Sequence, residues 1–451
     1  MPFSNLFVSP IGCVPKRNGK IRVIHHLSYP FKGDSVNADI IEESVQLASV
    51  AEACRHIRLL GAGCFLIKLD VEAAYKQVPV RREDWHLLGF KWLGKYYYER
   101  VLPFGLKSSC RLWDLYATAL HYFFEKMGVQ AVVHYVDDFL FIVQSNNTAQ
   151  RNLTDALALC EELGVPMAAD KTEGPVTRLT FLGIELDTVA MTARLPRVKL
   201  LELQQLIMEW TTKTHATAKE ITSIAGKLTF ACSVVRPGRF FMGRLWSFAA
   251  IATSLTKRST SRLQLAAAAR ADIMWWHECL TGWNGVSLLL DRDWTDSVKL
   301  QLTTDACTTG YGVLCGSHWI AGRWSAAHRA AAVRKTKESM PFYELFALVA
   351  AAAAFGHQWR GKKILFRCDC MPVVQAIQKR SSRNPSSMHL LRHLSLTAAR
   401  YQFDFRCEHI PGVENVAADL LSRYGDCPQF RALFPHASND MTPEPEIPLP
   451  A

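Results

Sequence analysis

HYVDDFLF, residues 134–141, sets two adjacent aspartates inside an apolar run. Ala131-Val132-Val133 lead into it, and Phe139-Leu140-Phe141-Ile142-Val143 follow. A buried carboxylate costs several kcal/mol unless it is paired or bound to a metal. The pattern reads as strand, two-residue aspartate turn, strand over 131–143. Residues 64–69, CFLIKL, form a second short buried-strand pattern, and it ends on Asp70. If the strands are neighbours, Asp70, Asp137 and Asp138 converge at one sheet edge. Converging carboxylates repel and push each other toward protonation. A hard divalent cation relieves that repulsion. Two such ions about 3.5–4 Å apart activate an attacking hydroxyl and stabilise a leaving phosphate oxygen. Aspartate is also common in polar turns, but this turn lies in an apolar hairpin.

The totals fit a multidomain globular chain. There are 451 residues, 49% hydrophobic and 21% charged, which is enough to bury two or three cores. The net charge of +11 suits a polyanionic partner. The 13 cysteines follow no disulfide framework and no zinc spacing, as expected of reduced intracellular thiols. No run of 18 uncharged apolar residues suggests a membrane span. The first residues lack a signal-peptide pattern, so the expected location is intracellular, in the cytoplasm or nucleus, and not secreted.

Along the chain, KRNG at 16–19 reads as the turn of a hairpin within 11–28. Residues 106–127 read as helix and 176–187 as another strand pair. From about 195 to 280 apolar residues recur at three and four, the pattern of a helical connector. Strand patterns return at 298–306 and 311–316. They are followed by a helix at 341–355, a strand at 362–369, helices at 372–378 and 388–399, and a strand at 402–410. That alternation predicts a mixed α/β domain. Beyond 427 the chain is Pro-rich, as in an extended tail.

This second α/β region carries its own acids. Asp305 ends a strand pattern, Glu344 sits on a largely apolar helix, and Asp369 ends another strand. His409 and Asp419 lie in HIPGVENVAADLLSR. Any one of these reads as a surface acid, but together they suggest another paired-metal site.

Tyr135-Val136-Asp137-Asp138 resembles the YxDD signature of reverse transcriptases. IKLDVEAAYKQVPV (67–80), LPFGLKSS (102–109) and FLGIELD (181–187) resemble three further motifs of that family, in the family's order. The resemblance implies that Asp70 and Asp137 bridge two Mg²⁺ ions (Mn²⁺ as an alternative), supported by Asp138. It implies that Tyr75 closes the pocket under the sugar and favours dNTPs. Phe104 and Gly105 would line the nucleotide pocket, Arg22 would contact the triphosphate, and Lys16 or Lys20 would assist. Lys171 is the expected proton donor to pyrophosphate. The set Asp305, Glu344, Asp369, His409 and Asp419 resembles ribonuclease H over roughly 298–424. There the four acids would be metal ligands, and His409 would lie on a loop made flexible by Pro411-Gly412. Cys370 departs from that family, which usually carries Asn or Ser after the strand aspartate.

The expected fold class is therefore α+β multidomain: a right-hand polymerase followed by an RNase H-like mixed α/β domain. The expected divisions are fingers and palm at 1–190, helical thumb and connection at 191–296, RNase H at 297–426 and a Pro-rich tail at 427–451. The expected partners are an RNA template, a DNA primer, their RNA–DNA hybrid and dNTPs, with no membrane. Lys199, Lys219, Lys227, Arg236, Arg239 and Arg244 would hold the nucleic-acid backbone. Relatives have more protein before the fingers hairpin, so a supporting segment is expected to be missing. IRVIHHLSYP, RPGRFFMGRL and HIPGVENVAADLLSR, among others, resemble polyproteins of tyrosine-recombinase-bearing (DIRS/Ngaro) retrotransposons. The competing expectation is an inactive or domesticated remnant that binds nucleic acid without turnover.

Overall fold

The computed structural model describes residues 3–439, Ile447 and Leu449, except 16–18, 20, 32, 42–43, 256–260, 284–285, 289–292, 297–299, 301 and 334–339. Lys16, Lys20, most of the KRNG turn and most of the Pro-rich end therefore lie outside the described residues. The chain divides into two compact units. The first holds residues 1–182 and 186–190, and the second holds 183–185 and 191–451.

The first unit is built on a four-stranded antiparallel sheet. Its elements in order are β1 (Ile11–Pro15), β2 (Ile21–His25), α1 (Val50–Leu60), β3 (Phe65–Asp70), β4 (Gly89–Trp92), β5 (Lys95–Tyr98), α2 (Ser109–Lys126), β6 (Ala131–Tyr135), β7 (Asp138–Val143), α3 (Asn146–Glu162) and β8 (Glu173–Val176). The strand order is β6-β7-β3-β8. The central strand β7 is buried on both faces, which is why its sequence is continuously apolar. Phe139, Phe141 and Val143 pack against Trp113, Leu120 and Phe124 of α2 and Ala149 and Ala156 of α3. Burying each of these aromatic rings contributes roughly 1.5–3 kcal/mol. Strand β8, within ADKTEGPV, goes beyond the expected elements.

The strands β9 (Arg178–Phe181), β10 (Ile184–Asp187) and β11 (Thr192–Arg194) follow. The second unit then runs through α4 (Arg197–Thr212), β12 (His215–Thr217), α5 (Ala218–Ala231), α6 (Gly243–Leu255), β13 (Arg262–Gln264), α7 (Ala267–Trp283) and β14 (Val286–Leu288). The expected helical connector is thus present, interrupted by the small β12–β13 ladder.

The remainder comprises β15 (Trp294–Asp296), β16 (Leu302–Ala306), β17 (Gly310–Cys315), β18 (His318–Arg323), α8 (Ala326–Val333), α9 (Met340–Phe355), β19 (Lys363–Cys368), α10 (Met371–Lys379), α11 (Pro385–Tyr401), β20 (Asp404–His409), α12 (Val416–Tyr424) and α13 (Pro428–Leu433). Strands β16-β17-β18 are antiparallel, and β15-β19-β20 are parallel. Helix α9, extended to Trp359, is long and apolar enough to cross a bilayer, yet 78% of that window is buried inside the protein. It is the core helix of this domain.

The connector packs onto the domain that follows it: Asp272 of α7 is fully buried and ion-paired with Arg392 of α11, while Phe240 stacks on Phe405 of β20. One expectation needs correction here. The chain after 427 is not simply an extended tail. Pro428 starts helix α13, whose Phe430 is fully buried against Trp319, and Ser438 bonds back to Ser317 and Trp319.

Glycine decides how α12 docks. A Cβ at Gly312 on β17 would meet the Cβ of Leu421 and lie 2.6 Å from the Ser422 amide nitrogen. The helix backbone therefore rests directly on the strand. Gly312→Ala is expected to destabilise the second unit by roughly 1–3 kcal/mol through overpacking, read by chemical denaturation, and to move Asp419 on the displaced helix.

Candidate active sites

The antiparallel register of β3 with β7 pairs Asp70 directly with Asp138. The turn is one residue earlier than expected: it is Val136-Asp137, and Asp138 already begins β7 opposite Tyr135. Val136 has φ 56°, a strained left-handed conformation for a β-branched residue. The indole N–H of buried Trp113 donates to the Val136 carbonyl at 2.8 Å. The Val71 amide donates to the Asp137 carbonyl at 3.0 Å. These two bonds fix the turn from both sides. Trp113 escaped the sequence reading because an apolar helix face predicts packing and not a hydrogen bond to a turn.

The three carboxylates open into a cleft of about 790 Å³, also lined by Arg22, Tyr75, Phe104 and Lys171. Lys171 Nζ donates to Asp70 Oδ1 at 2.7 Å. The Arg22 guanidinium lies 4.5 Å from the centre of the Phe104 ring, and that ring lies 5.0 Å from Tyr75. Burial, with the neighbouring Asp137 and Asp70, pushes the Asp138 carboxyl up to about 6. Burial also raises Asp137, against a lowering backbone hydrogen bond. Burial raises the Tyr75 phenol. Gly105 departs from expectation, since it does not line the cleft among the described residues. It has φ 106°, and a Cβ there would collide with the His25 carbonyl. His25 in turn donates its amide to the Phe104 carbonyl at 2.8 Å. Gly105 thus lets the β2 end of the hairpin close onto the LPFG loop.

The second constellation also converges. Asp305 is on β16, Glu344 on α9, Asp369 just past β19 and Asp419 in the first turn of α12. A carboxylate oxygen from each of Glu344 and Asp369 and the Cys368 sulfur lie within 4.8 Å of one another. Ser422 Oγ donates to Asp305 Oδ2 at 2.6 Å, and Arg423 Nε donates to Asp419 Oδ1 at 2.6 Å. Buried Asn415, unforeseen, donates to the Thr304 carbonyl at 2.8 Å and ties the start of α12 to β16. Burial, with Asp305 and Asp369, pushes Glu344 up to about 9. Burial pushes Asp305 up to about 6, against the Ser422 hydrogen bond and with Asp369 and Asp419 adding to the rise. His409 is the last residue of β20 and not a loop residue. It pairs with Cys368 across the ladder, and its Nε2 lies 3.1 Å from the Asp369 carbonyl oxygen. Cys370 caps α10.

Of the expected backbone-holding cations, Lys219, Lys227 and Arg239 are exposed. Lys199 instead donates to the Gly183 carbonyl and lies over Phe230, and Arg244 approaches Asp272.

Both acid sets combine oxygen donors with a carboxyl held up by burial and like charge, which fits a hard divalent cation. Residues 14–186 match the family described as reverse transcriptase (RNA-dependent DNA polymerase). Polyprotein P3 of Commelina yellow mottle virus is 23% identical over 81% of this chain and 18% of that protein. Protein P of Duck hepatitis B virus (strain China) is 29% identical over 38% of this chain and 22% of that protein. The retrovirus-related Pol polyprotein from transposon opus of Drosophila melanogaster is 23% identical over 99% of this chain and 42% of that protein. The chain thus spans less than half the length of these relatives. Among solved structures, foamy viral protease-reverse transcriptase in complex with dsDNA matches with a TM-score of 0.50 at 16% identity, covering 90% of this chain and 78% of that one. The fold is that of a polymerase followed by an RNase H-like domain. Residues 14–186 are thus similar to reverse transcriptase domains, and the chain has similar proteins among retrotransposon and retroviral Pol proteins.

The raised carboxyls make a stability prediction with a definite sign. An acid whose folded pKa is raised costs nothing below its unfolded pKa, and the cost grows as pH rises toward the folded value. For Glu344 that window runs from about 4.5 to about 9. Glu344→Gln is therefore expected to stabilise the protein in EDTA at pH 8, by on the order of a few kcal/mol. The gain should vanish near pH 4.5, as read by denaturant titration at both pH values.

Proposed function

We propose that this chain is the reverse transcriptase and ribonuclease H region of a retrotransposon polyprotein. The observation that carries the reading is the β3–β7 register, which holds Asp70 beside Asp138 and lifts Asp137 into a cleft with Arg22, Tyr75 and Lys171. The reaction is attack of a primer 3′-hydroxyl on the α-phosphate of a dNTP, templated by RNA or DNA. Asp70 and Asp137, supported by Asp138, would hold Mg²⁺ or Mn²⁺, which supplies Lewis-acid activation of the hydroxyl and charge neutralisation at the leaving oxygen. Arg22, on the exposed β2 strand beside Phe104, is available to the triphosphate. Lys171, already within hydrogen-bond distance of Asp70, carries a proton at the same end of the cleft. The Tyr75 ring, backed by Phe104, narrows the space for a ribose 2′-hydroxyl.

The second site would cut the RNA strand of the resulting hybrid. Asp305, Glu344, Asp369 and Asp419 would be its cation ligands, and His409 would serve proton transfer or product departure. On this reading the chain divides into fingers and palm to about 190, thumb and connection to about 296, and RNase H to about 426. The protein works inside the cell, in the cytoplasm or nucleus. The wording of HYVDDFLFIV and HIPGVENVAADLLSR supports a DIRS/Ngaro-type source.

The test is primer extension on a 5′-labelled RNA template with dNTPs and Mg²⁺, so that growth and cleavage are scored together. Asp137→Asn is expected to lower extension by at least about 100-fold while cleavage persists, and Asp369→Asn the reverse. If the folded wild type binds hybrid but neither extends nor cuts, the chain is a non-catalytic remnant. In the same assay Tyr75→Ala is expected to raise the ratio of rNTP to dNTP incorporation by at least about tenfold.

A further inference from the structure

The first unit carries another cluster of titratable side chains, none of which lines the cleft. His121 on α2 and His134 on β6 bring their Nδ1 atoms to 2.8 Å, with the rings at 76°. Each ring turns its other nitrogen toward a carboxylate. His121 Nε2 lies 3.4 Å from Glu125 Oε1, and His134 Nε2 lies 3.6 Å from Asp114 Oδ1. His56 and Glu52 on α1 are close enough for their charges to act on this pair.

An i,i+4 ion pair on α2 would explain Glu125 alone. Without an ion, the Nδ1 contact is a hydrogen bond in which one ring donates to the other, so the two Nδ1 atoms are already directed at one point, with an acid near the far nitrogen of each ring. A metal-bound histidine pair uses one ring nitrogen on the ion and gives the other N–H to a carboxylate that fixes tautomer and ring plane; here Glu125 and Asp114 stand within 3.4 and 3.6 Å of the Nε2 atoms, close enough to take up that role on a small shift. Metal binding also requires neutral imidazole. Burial and the facing His121 lower the His134 pKa, against the pull of Asp114 and Glu52, in the direction of the neutral ring. The rings remain 25% and 17% exposed, so water can complete the coordination. Imidazole donors select a borderline ion such as Zn²⁺ over Mg²⁺. Tetrahedral coordination at the usual Zn–N length needs about 3.3 Å between the nitrogens, an opening of about half an ångström.

We propose that His121 and His134 form a two-imidazole chelate for a Zn²⁺-class divalent ion, with Asp114 and Glu125 as its orienting carboxylates. The ion would tie α2 to β6, the strand that leads into the Val136-Asp137 turn. The inference is independent of the polymerase reading.

Calorimetric titration of the EDTA-stripped chain with ZnCl₂, in buffer containing Mg²⁺, tests it. One equivalent is expected to bind in the wild type and to be lost in His121→Gln and His134→Gln. Asp114→Asn, which keeps both imidazoles, is expected to weaken binding about 10–100-fold. X-ray absorption of the zinc-loaded wild type should show nitrogen and oxygen near 2.0–2.1 Å. No binding, binding unchanged in both histidine variants, or a shell dominated by sulfur near 2.3 Å would overturn the proposal, the last assigning the zinc to the cysteines.

Discussion

The pairing of Asp70 with Asp138 across an antiparallel ladder is the constraint around which the first unit is organised. Two acids at directly opposed positions, with a third in the adjoining turn, would separate if the strands were free to slide. A slip of one residue would also turn every side chain of β7 to the opposite face. Both faces of β7 are buried, so the core resists the slip that electrostatic repulsion favours. The Lys171 ammonium on Asp70 and the Trp113 bond to the strained turn complete the restraint. Burial of the β7 side chains behind the cleft is thus what holds the charges together in it.

The second site reaches the same end by another route. Its acids come from a strand, two helices and a strand end, so no single ladder sets their spacing. Helix docking does. Glycine on β17 lets α12 lie against the strand backbone. Asn415 fastens the start of that helix to β16, and Ser422, one turn beyond Asp419, bonds Asp305. Glu344 comes from a helix buried nearly all round, and burial raises its carboxyl. The first site depends on register and the second on how closely a helix approaches a sheet.

Much of this was legible in the sequence because an acid set in or against an apolar run carries both signals at once. Asp70 at the end of the strand 65–70, Asp138 at the start of 138–143 and Glu344 within an apolar helix are examples. The turn was misplaced by one residue because local propensity disfavours a left-handed valine. Trp113 and Val71, both remote in sequence, bond to the turn and hold Val136 there. Gly105 was placed in the pocket by the resemblance of LPFGLKSS to the family motif, whereas the close contact it permits is with a backbone carbonyl 80 residues earlier. The helix at 428–433 was hidden by the Pro-rich composition around it, and its stability comes from Trp319 on a distant strand. The histidine pair was invisible because residues 13 apart meet only through the packing of α2 on β6.

The buried Asp272–Arg392 pair bears on how such a protein can be divided and recombined. Burial pushes the Asp272 carboxyl up to about 7, while Arg392 and Arg244 pull it down. Removing either partner strands a charge in an apolar interior. Arg392 also lies over Phe241, which stacks on Trp275 with ring centres 3.6 Å apart. A graft made at the sequence boundary near 296 would carry Arg392 away from its acid and expose this aromatic stack. A division that keeps these contacts together falls near residue 191, where the second compact unit begins, and not near 296.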